Sequence, residues 1–327
     1  MDLDVIFFGT GSSVPTAKRA TACVMARVGG ERLLFDCGEG TQRQMQRSTG
    51  LVQIDEIYVT HLHADHYLGI PGLLKTYDLN GRDRGLRVIG PPGLFELFKA
   101  LRRIFGRLAY DVELVELEEG EASRHDGYEV RPFPVEHGMR AYGYALVEDI
   151  RPGRFDPQAA ERLGIPAGPA FKRLQEGVPV AGSAGTVSPE QVMGDPRPGR
   201  KVVVTGDTRP CEMTRVAAHE AQLLVHDASF ADEEVERAYE TGHSTGRQAA
   251  GIAAAAGVDM LALVHVSSRY DVREVLAEAH EVFPAATAPR DFDLVEVPFA
   301  ERGAPRLIEN GARERPEPRA VEVAPAP

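Results

Sequence analysis

The chain has 327 residues, of which 43% are hydrophobic and 26% charged, a composition typical of a folded globular protein and too apolar for a disordered one. Its formal net charge of −12 argues against nucleic-acid binding driven by overall charge. Apolar runs are too short to span a bilayer, and an acidic N-terminus with three scattered cysteines favours neither secretion nor a disulfide framework. We therefore expect a cytoplasmic protein with no membrane partner.

Short apolar segments that predict strands alternate along the chain with segments of helical periodicity. In chain order, strands are predicted at residues 5–8, 32–35, 56–60, 87–89, 201–205, 223–225 and 261–264. Helices are predicted at residues 41–48, 68–78, 94–105, 245–256 and 272–282, the fourth of them capped by Ser244 and ended by Gly257. Residues 110–117, 128–133 and 141–147 follow one another without a helix between them, which predicts an antiparallel stretch. The pattern as a whole predicts a layered α/β domain.

Two segments differ from this pattern. Residues 149–198 are rich in Pro and Gly and lack sustained periodicity apart from a short helix at 157–163, so they predict an irregular insertion that is either a functional arm or disordered. Residues 309–327 mix charge, Pro and Ala and predict a disordered tail. The main domain is therefore expected to cover residues 1–308.

Charge is unevenly distributed along the chain. Residues 82–107 contain seven basic residues against two acids, whereas residues 111–129 contain eight acids against one arginine. Such segregation can leave one face suited to an anionic partner, although clustering on an ordinary solvated surface accounts for it equally well.

The strongest chemical signal is Thr60-His61-Leu62-His63-Ala64-Asp65-His66, which follows a predicted strand directly. Alternation along an extended chain sends His61 and His63 to the same side, where both imidazoles can reach one metal ion. Asp65 and His66 follow in the turn and can reach a second ion beside the first. Four ligands cannot complete two coordination spheres, so further ligands must come from elsewhere in the chain.

Three further candidates share a placement at the carboxyl end of an apolar strand. They are His137, Asp207 and His265. A carboxylate such as Asp207 can bridge two divalent ions, which a single imidazole nitrogen cannot do. The sequence therefore predicts a dinuclear metal site at one edge of a sheet.

With these motifs the sequence resembles the metallo-β-lactamase superfamily and, within it, the ribonuclease Z family of tRNA 3′-processing endonucleases. The superfamily signature is matched by residues 61–66. The narrower resemblance depends on the following stretches: Phe8-Gly9-Thr10-Gly11, Asp36-Cys37-Gly38-Glu39-Gly40-Thr41-Gln42, Gly206-Asp207-Thr208-Arg209, His243-Ser244-Thr245 and Ser268-Arg269-Tyr270. It implies an αββα sandwich of two packed mixed sheets flanked by helices, with a protruding flexible arm.

The resemblance also implies roles for individual residues. One zinc ion would be held by His61, His63 and His137 and the other by Asp65, His66 and His265, with Asp207 bridging them and Asp36 orienting a ligand. Manganese is an alternative, because His and Asp ligands accept both metals. The insertion at 149–198 would be the arm that grips precursor tRNA, with Gly168, Pro169, Lys172 and Arg173 as contact residues. A homodimer, in which each arm reaches the partner's active site, is implied as well.

The expected reaction is attack of a metal-activated hydroxide on the phosphodiester before the 3′ trailer, which leaves a 3′-hydroxyl on the tRNA. Asp65 would accept a proton from the nucleophile, and His243, oriented by Asp227, would protonate the leaving oxygen. The family often has Glu at the position of Asp227, so this acid is one methylene shorter. Two alternatives stay open: a hydrolase of small phosphodiesters or sulfate esters, and a catalytically inactive RNA-binding relative, which the complete ligand set disfavours.

Overall fold

The computed structural model describes residues 2–183 and 185–311, and these residues form two compact units. The larger unit takes the described residues up to 125, residues 129–147 and the described residues from 200 onward. The smaller unit takes residues 126–128 and 148–199. Most of the predicted tail, from residue 312 on, lies outside the described residues. Among the described helices, none combines the length and the apolar character that crossing a membrane requires.

The secondary structure follows the alternation that the sequence predicts. The strands are β1 (Leu3–Gly9), β2 (Cys23–Val28), β3 (Glu31–Phe35), β4 (Glu56–Tyr58), β5 (Leu86–Gly90), β6 (Val112–Glu116), β7 (Ser123–Arg124), β8 (Tyr128–Pro134), β9 (Tyr142–Glu148), β10 (Val180–Gly182), β11 (Gly185–Val187), β12 (Lys201–Val204), β13 (Leu223–Asp227), β14 (Met260–Val264), β15 (Ala286–Thr287), β16 (Leu294–Glu296) and β17 (Arg306–Ile308). The helices are α1 (Thr41–Arg47), α2 (Ala64–Tyr67), α3 (Gly69–Leu79), α4 (Leu94–Phe105), α5 (Pro157–Arg162), α6 (Pro169–Gln175), α7 (Glu212–Ala217), α8 (Val235–Thr241), α9 (Gly246–Ala256) and α10 (Val272–His280).

The first sheet of the larger unit has the strand order β17-β16-β1-β2-β3-β4-β5-β6. Strands β1, β2, β3, β16 and β17 pair antiparallel, whereas β3, β4, β5 and β6 run parallel to one another. Each parallel connection returns through a helix, as parallel pairing requires. The carboxyl ends of β3 and β4 therefore meet at one edge, where Asp36 and His61 follow them in the chain.

The second sheet has the order β15-β14-β13-β12-β9-β8-β7. Strands β12 to β15 are parallel, and β9 pairs antiparallel with β12. The carboxyl ends of three parallel strands again share an edge. Asp207 follows β12 after two residues, Asp227 ends β13 and His265 follows β14 directly.

The inner faces of the two sheets pack through aromatic rings. The Tyr58 ring stacks on Phe35 with 5.3 Å between centroids and meets Tyr144 edge-on at 5.1 Å. The Tyr144 hydroxyl donates to the carbonyl of Val59 at 2.8 Å, which ties the second sheet to the strand that precedes the histidine motif. Helices α1, α3 and α4 cover the first sheet, and α9 and α10 pack on the second, where buried alanines of α9 allow a close approach. The predicted sandwich of two mixed sheets flanked by helices is confirmed.

Two local predictions are wrong, and one strand was missed. Residues 110–117 do not belong to an antiparallel stretch, because β6 joins β5 in parallel after the α4 crossover. Strand β2 was not predicted. The cap of α9 is Thr245, whose side chain accepts from the Gln248 amide in a capping box, whereas the Ser244 hydroxyl donates to the carbonyl of Thr208. Gly257 ends α9 in a left-handed conformation, as predicted.

The smaller unit is more regular than its composition indicates. It contains α5, capped by the Asp156 side chain, then α6 and the β10–β11 hairpin. These elements enclose a small core of their own, which consists of Ala160, Ile165, Leu174, Val187 and Val192. The short helix predicted at 157–163 is confirmed by α5. The prediction of an irregular segment is wrong for residues 169–187, because a few apolar residues spread over short elements produce no sustained periodicity.

Candidate metal centre

The histidine motif lies where β4 ends and the chain turns into α2. His61 is fully buried and His63, which precedes the first residue of α2, is exposed at the surface. Asp65 lies in the first turn of that helix, and His66 is fully buried. The sharp change from strand to helix brings all four side chains to the same edge of the first sheet.

The first donor group consists of His61, His63, His137 and Asp207, whose potential ligand atoms lie within 4.8 Å of one another. The Nδ1 atom of His63 is 2.9 Å from Nε2 of His61 and 3.1 Å from Nε2 of His137. The Asp207 Oδ2 atom lies 3.7 Å from Nε2 of His61. Three ring nitrogens and one carboxylate oxygen thus converge on one point.

The second donor group consists of Asp65, His66 and His265. The Nε2 atom of His265 lies 3.3 Å from Oδ2 of Asp65 and 3.4 Å from Oδ1 of Asp207. The Nε2 atom of His66 lies 3.3 Å from Oδ2 of Asp207. The Asp207 carboxylate therefore faces both donor groups, as a bridging ligand would.

Two buried atoms within these groups form no hydrogen bond in the described part of the chain, namely Nε2 of His66 and Oδ1 of Asp207. An unpaired buried donor or acceptor is costly, so such atoms call for an explanation. Imidazole nitrogens and carboxylate oxygens are ligands that zinc accepts. The residues present therefore fit a pair of divalent metal ions.

Hydrogen bonds to the Nδ1 atoms of His66 and His137 fix the orientation of these two rings. Asp36 accepts from the Thr60 amide at 2.8 Å through Oδ1, and its Oδ2 lies 2.7 Å from Nδ1 of His66. The Nδ1–H group of His137 donates to the carbonyl of Gly242 at 2.8 Å. In both histidines the proton is thereby held on Nδ1, so Nε2 presents its lone pair to the donor group.

His243, which forms a third donor group with Asp207 and His265, is paired with Asp227, with 2.8 Å between Nδ1 and Oδ2. Aspartate therefore reaches the ring despite being shorter than glutamate. Burial disfavours the charged ring, but the adjacent Asp227 carboxylate outweighs it and raises the pKa of His243 to about 9. Burial likewise opposes ionisation of Asp227, yet the charge of His243 holds the pKa of that carboxyl below its usual value. The hydrogen bonds of the His243 ring to described residues involve Nδ1 and not Nε2.

The predicted arm residues belong to the smaller unit. Gly168 and Pro169 form the N-terminus of α6, and Lys172 and Arg173 lie exposed on the same helix. Every residue proposed from the sequence as a metal ligand or acid–base group is found in the cluster around Asp207.

Two residues of the site were missed by the sequence analysis. Thr60 donates its amide to Asp36, and Ser229 contacts His265 and Asp227. Thr60 directly precedes His61, and Ser229 follows Asp227 by two residues. This closeness to a predicted site residue at the end of a strand is the sequence feature that could have identified them.

Known proteins resemble this chain in sequence over most of its length. A family model described as a beta-lactamase superfamily domain matches residues 31–158. Ribonuclease Z of Haloferax volcanii is 50% identical over 307 residues, which cover 92% of this chain and 97% of that protein. Ribonuclease Z of Methanosarcina acetivorans is 47% identical over 303 residues, which cover 91% and 99% respectively.

Solved structures of known proteins superpose on most of this chain. The short form of human tRNase Z superposes with a TM-score of 0.65 at 26% identity, covering 90% of this chain and 99% of that one. The metallo-beta-lactamase fold protein YhfI from Bacillus subtilis superposes with a TM-score of 0.67 at 17% identity, covering 90% and 100%, and shares the fold.

Proposed function

The chain belongs to the ribonuclease Z family of tRNA 3′-processing endoribonucleases, and from this premise we propose how its side chains remove the 3′ trailer from precursor tRNA. The resemblance predicted from the sequence is confirmed, and the protein is a metal-dependent nuclease. The observation that carries the mechanism is the pair of donor groups that share the Asp207 carboxylate.

The proposed cofactor is two Zn²⁺ ions per subunit, with Mn²⁺ as the alternative. His61, His63 and His137 would hold one ion, the group of Asp65, His66 and His265 the other, and Asp207 both. Such a pair would lower the pKa of a bound water to about 7 and would place positive charge beside the phosphate. Metal analysis of the purified protein should find about two ions per chain.

Asp65 is proposed to accept the proton of the attacking water. Its carboxylate is only partly buried, and Oδ2 lies 3.3 Å from Nε2 of His265, so it borders both the donor group and the open side of the site. A carboxylate in this position can also orient the water for in-line attack on phosphorus.

His243 is proposed as the general acid that protonates the departing 3′-oxygen of the tRNA. The Nδ1–H group is engaged by Asp227, so the ring is held in one orientation with Nε2 available for the leaving group. Asp227 acts through His243 and is a positioning residue. The Asp227 carboxylate raises the pKa of His243 and so favours the protonated ring that a proton donor needs.

The smaller unit is proposed to bind the body of the precursor through Gly168, Pro169, Lys172 and Arg173. Support comes from the exposed cations of α6 and from the resemblance. A Lys172→Glu, Arg173→Glu variant should lose precursor cleavage yet retain hydrolysis of bis(p-nitrophenyl) phosphate. An enzyme for small phosphodiesters or sulfate esters would be indifferent to the change. An Arg102→Glu, Arg103→Glu variant, which reverses two adjacent exposed cations on α4 of the larger unit, serves as the charge-matched control.

We further propose that the protein works as a homodimer in the cytoplasm, as the resemblance implies. Sedimentation equilibrium of the purified chain tests the assembly, and a monomer that cleaves precursor tRNA at full rate would refute it.

The decisive assay of the function uses a precursor tRNA labelled at its 5′ end. Cleavage just after the discriminator nucleotide is expected, together with a 3′-hydroxyl on the tRNA product. A His61→Ala variant controls for contaminating nucleases. Absence of cleavage by a protein that holds two metal ions would overturn the assignment.

A further inference from the structure

Ser229 lies two residues beyond the end of β13 and is buried between the acid pair and a metal-ligand candidate. Its Oγ atom is 2.6 Å from Oδ1 of Asp227 and 2.8 Å from Nδ1 of His265. The same oxygen lies 3.2 Å from Nδ1 of His243. One hydroxyl group therefore contacts three side chains of the site.

The chemistry of these groups fixes the direction of each hydrogen bond. An ionised carboxylate only accepts, so the single Ser229 hydroxyl proton goes to Asp227. The hydroxyl oxygen must then accept from His265, which places a proton on Nδ1 of that ring. Nε2 of His265 is left unprotonated, and this is the atom that faces Asp65 and Asp207 at 3.3 and 3.4 Å.

The two oxygens of Asp227 are thereby divided between two histidines. Oδ2 binds His243 directly at 2.8 Å, and Oδ1 reaches His265 through the Ser229 hydroxyl. Asp227 is fully buried, so this carboxylate has little freedom to serve one ring without affecting the other.

We propose that Ser229 is a positioning residue that fixes the tautomer of His265 and couples this ligand, through Asp227, to the general acid His243. The inference deepens the proposed function and rests on its two-ion site. It assigns to Asp227 a role in metal affinity, although Asp227 belongs to none of the donor groups.

The backbone of the segment is held independently of the hydroxyl. The Ser229 carbonyl accepts from the Ser267 amide at 3.2 Å, and Ser229 N donates to Asp227 at 2.9 Å. Replacement by alanine keeps both contacts. A Ser229→Ala variant therefore isolates the contribution of the hydroxyl group.

Metal affinity is the readout, because it does not depend on RNA cleavage. Metal-free wild type, Ser229→Ala, Ser229→Thr and Asp227→Ala are titrated with Zn²⁺ in competition with a chromophoric chelator. Loss of an outer hydrogen bond to a ligand typically weakens metal binding 10- to 100-fold, so Ser229→Ala and Asp227→Ala should each weaken one of the two sites by about that factor. Ser229→Thr retains the hydroxyl and should restore the affinity.

Ser123→Ala is the matched control, because Ser123 is also buried and its hydroxyl also lies beside a histidine, His125, outside the metal centre. It should bind both ions as wild type does. If Ser229→Ala does not fold, Ser229→Cys keeps an atom at the γ position but with a much weaker hydrogen-bonding group, and it should show the same loss. If wild type binds two ions and Ser229→Ala binds them with the same affinity, the inference about Ser229 is wrong but the proposed metal site stands. If wild type binds no ions, the proposed metal site is wrong as well.

Discussion

Replacement of Asp36 by asparagine tests whether the hydrogen bond between Asp36 and His66 contributes to metal binding, with little change in the shape of the side chain. Asp36 is buried and lies at φ 59°, a left-handed conformation that asparagine tolerates at least as well. Its oxygens accept from the Thr60 amide at 2.8 Å and from the Thr60 hydroxyl at 2.9 Å, and Oδ2 lies 2.7 Å from Nδ1 of His66. Asparagine offers one acceptor oxygen and one NH₂ group, so it cannot accept from both the Thr60 amide and Nδ1 of His66.

The structure allows two responses to this conflict. If His66 keeps its proton on Nδ1, a buried donor is left unpaired, at a cost of about 1–3 kcal/mol in the free energy of unfolding. If the proton moves to Nε2, the hydrogen bond to asparagine is kept but the ring no longer offers a lone pair to the metal. Metal affinity at the second donor group should fall 10- to 100-fold through loss of the charged acceptor in either case.

Urea unfolding of the metal-free protein and chelator competition measure the two quantities separately. Asp55→Asn is a suitable control, because Asp55 also accepts a backbone amide, that of Arg32 at 2.9 Å, away from the donor groups. It should leave metal affinity unchanged. If Asp36→Asn kept both the stability and the metal affinity of the wild type, the assignment of the His66 tautomer would be wrong.

Three further predictions concern catalysis, the loop beside the motif and the smaller unit. His243→Ala should lower the single-turnover rate of precursor cleavage by roughly 10² to 10⁴ while metal content stays at the wild-type level, and a loss of metal would contradict the general-acid role. Gly38→Ala should destabilise the protein by about 1–3 kcal/mol, because a Cβ there would lie 2.4 Å from the carbonyl oxygen of Asp65. Gly30→Ala, with open space around the added carbon, should have little effect in the same unfolding assay. Leu174→Ala removes a fully buried side chain from a small core, at a cost of about 2–5 kcal/mol, so limited proteolysis should cut the smaller unit. Hydrolysis of bis(p-nitrophenyl) phosphate should persist in that variant, and its loss would show that the two units are not independent.

Much of the metal centre could be predicted because parallel strands of near-continuous apolar residues are readable from sequence and polar residues at their carboxyl ends are conspicuous. His61, Asp207 and His265 were found in this way. Ser229 was not, because a serine after a strand is common and its meaning depends on the position of His265, 36 residues later. Strand β2 was missed as well, although it is almost fully buried.

Sheet membership was harder to predict than strand position. Residues 112–116 were recognised as extended, but their partner is set by the crossover through α4 and by which edge of the first sheet is free. Neither fact is contained in the segment itself. The smaller unit shows the same effect, since five buried residues spread over 33 positions stabilise it without any periodic signal.

The proposed metal ligands are divided between the two sheets of the sandwich, with the histidine motif after β4 of the first and Asp207 and His265 after strands of the second. The spacing between the donor atoms is therefore a property of how the two sheets sit against each other. The Phe35, Tyr58 and Tyr144 rings pack between the two sheets and contribute to that alignment. Substitutions that change the size of these rings would alter the distances between the donor atoms even though every proposed ligand stays in the sequence. An intact motif therefore does not guarantee an active enzyme.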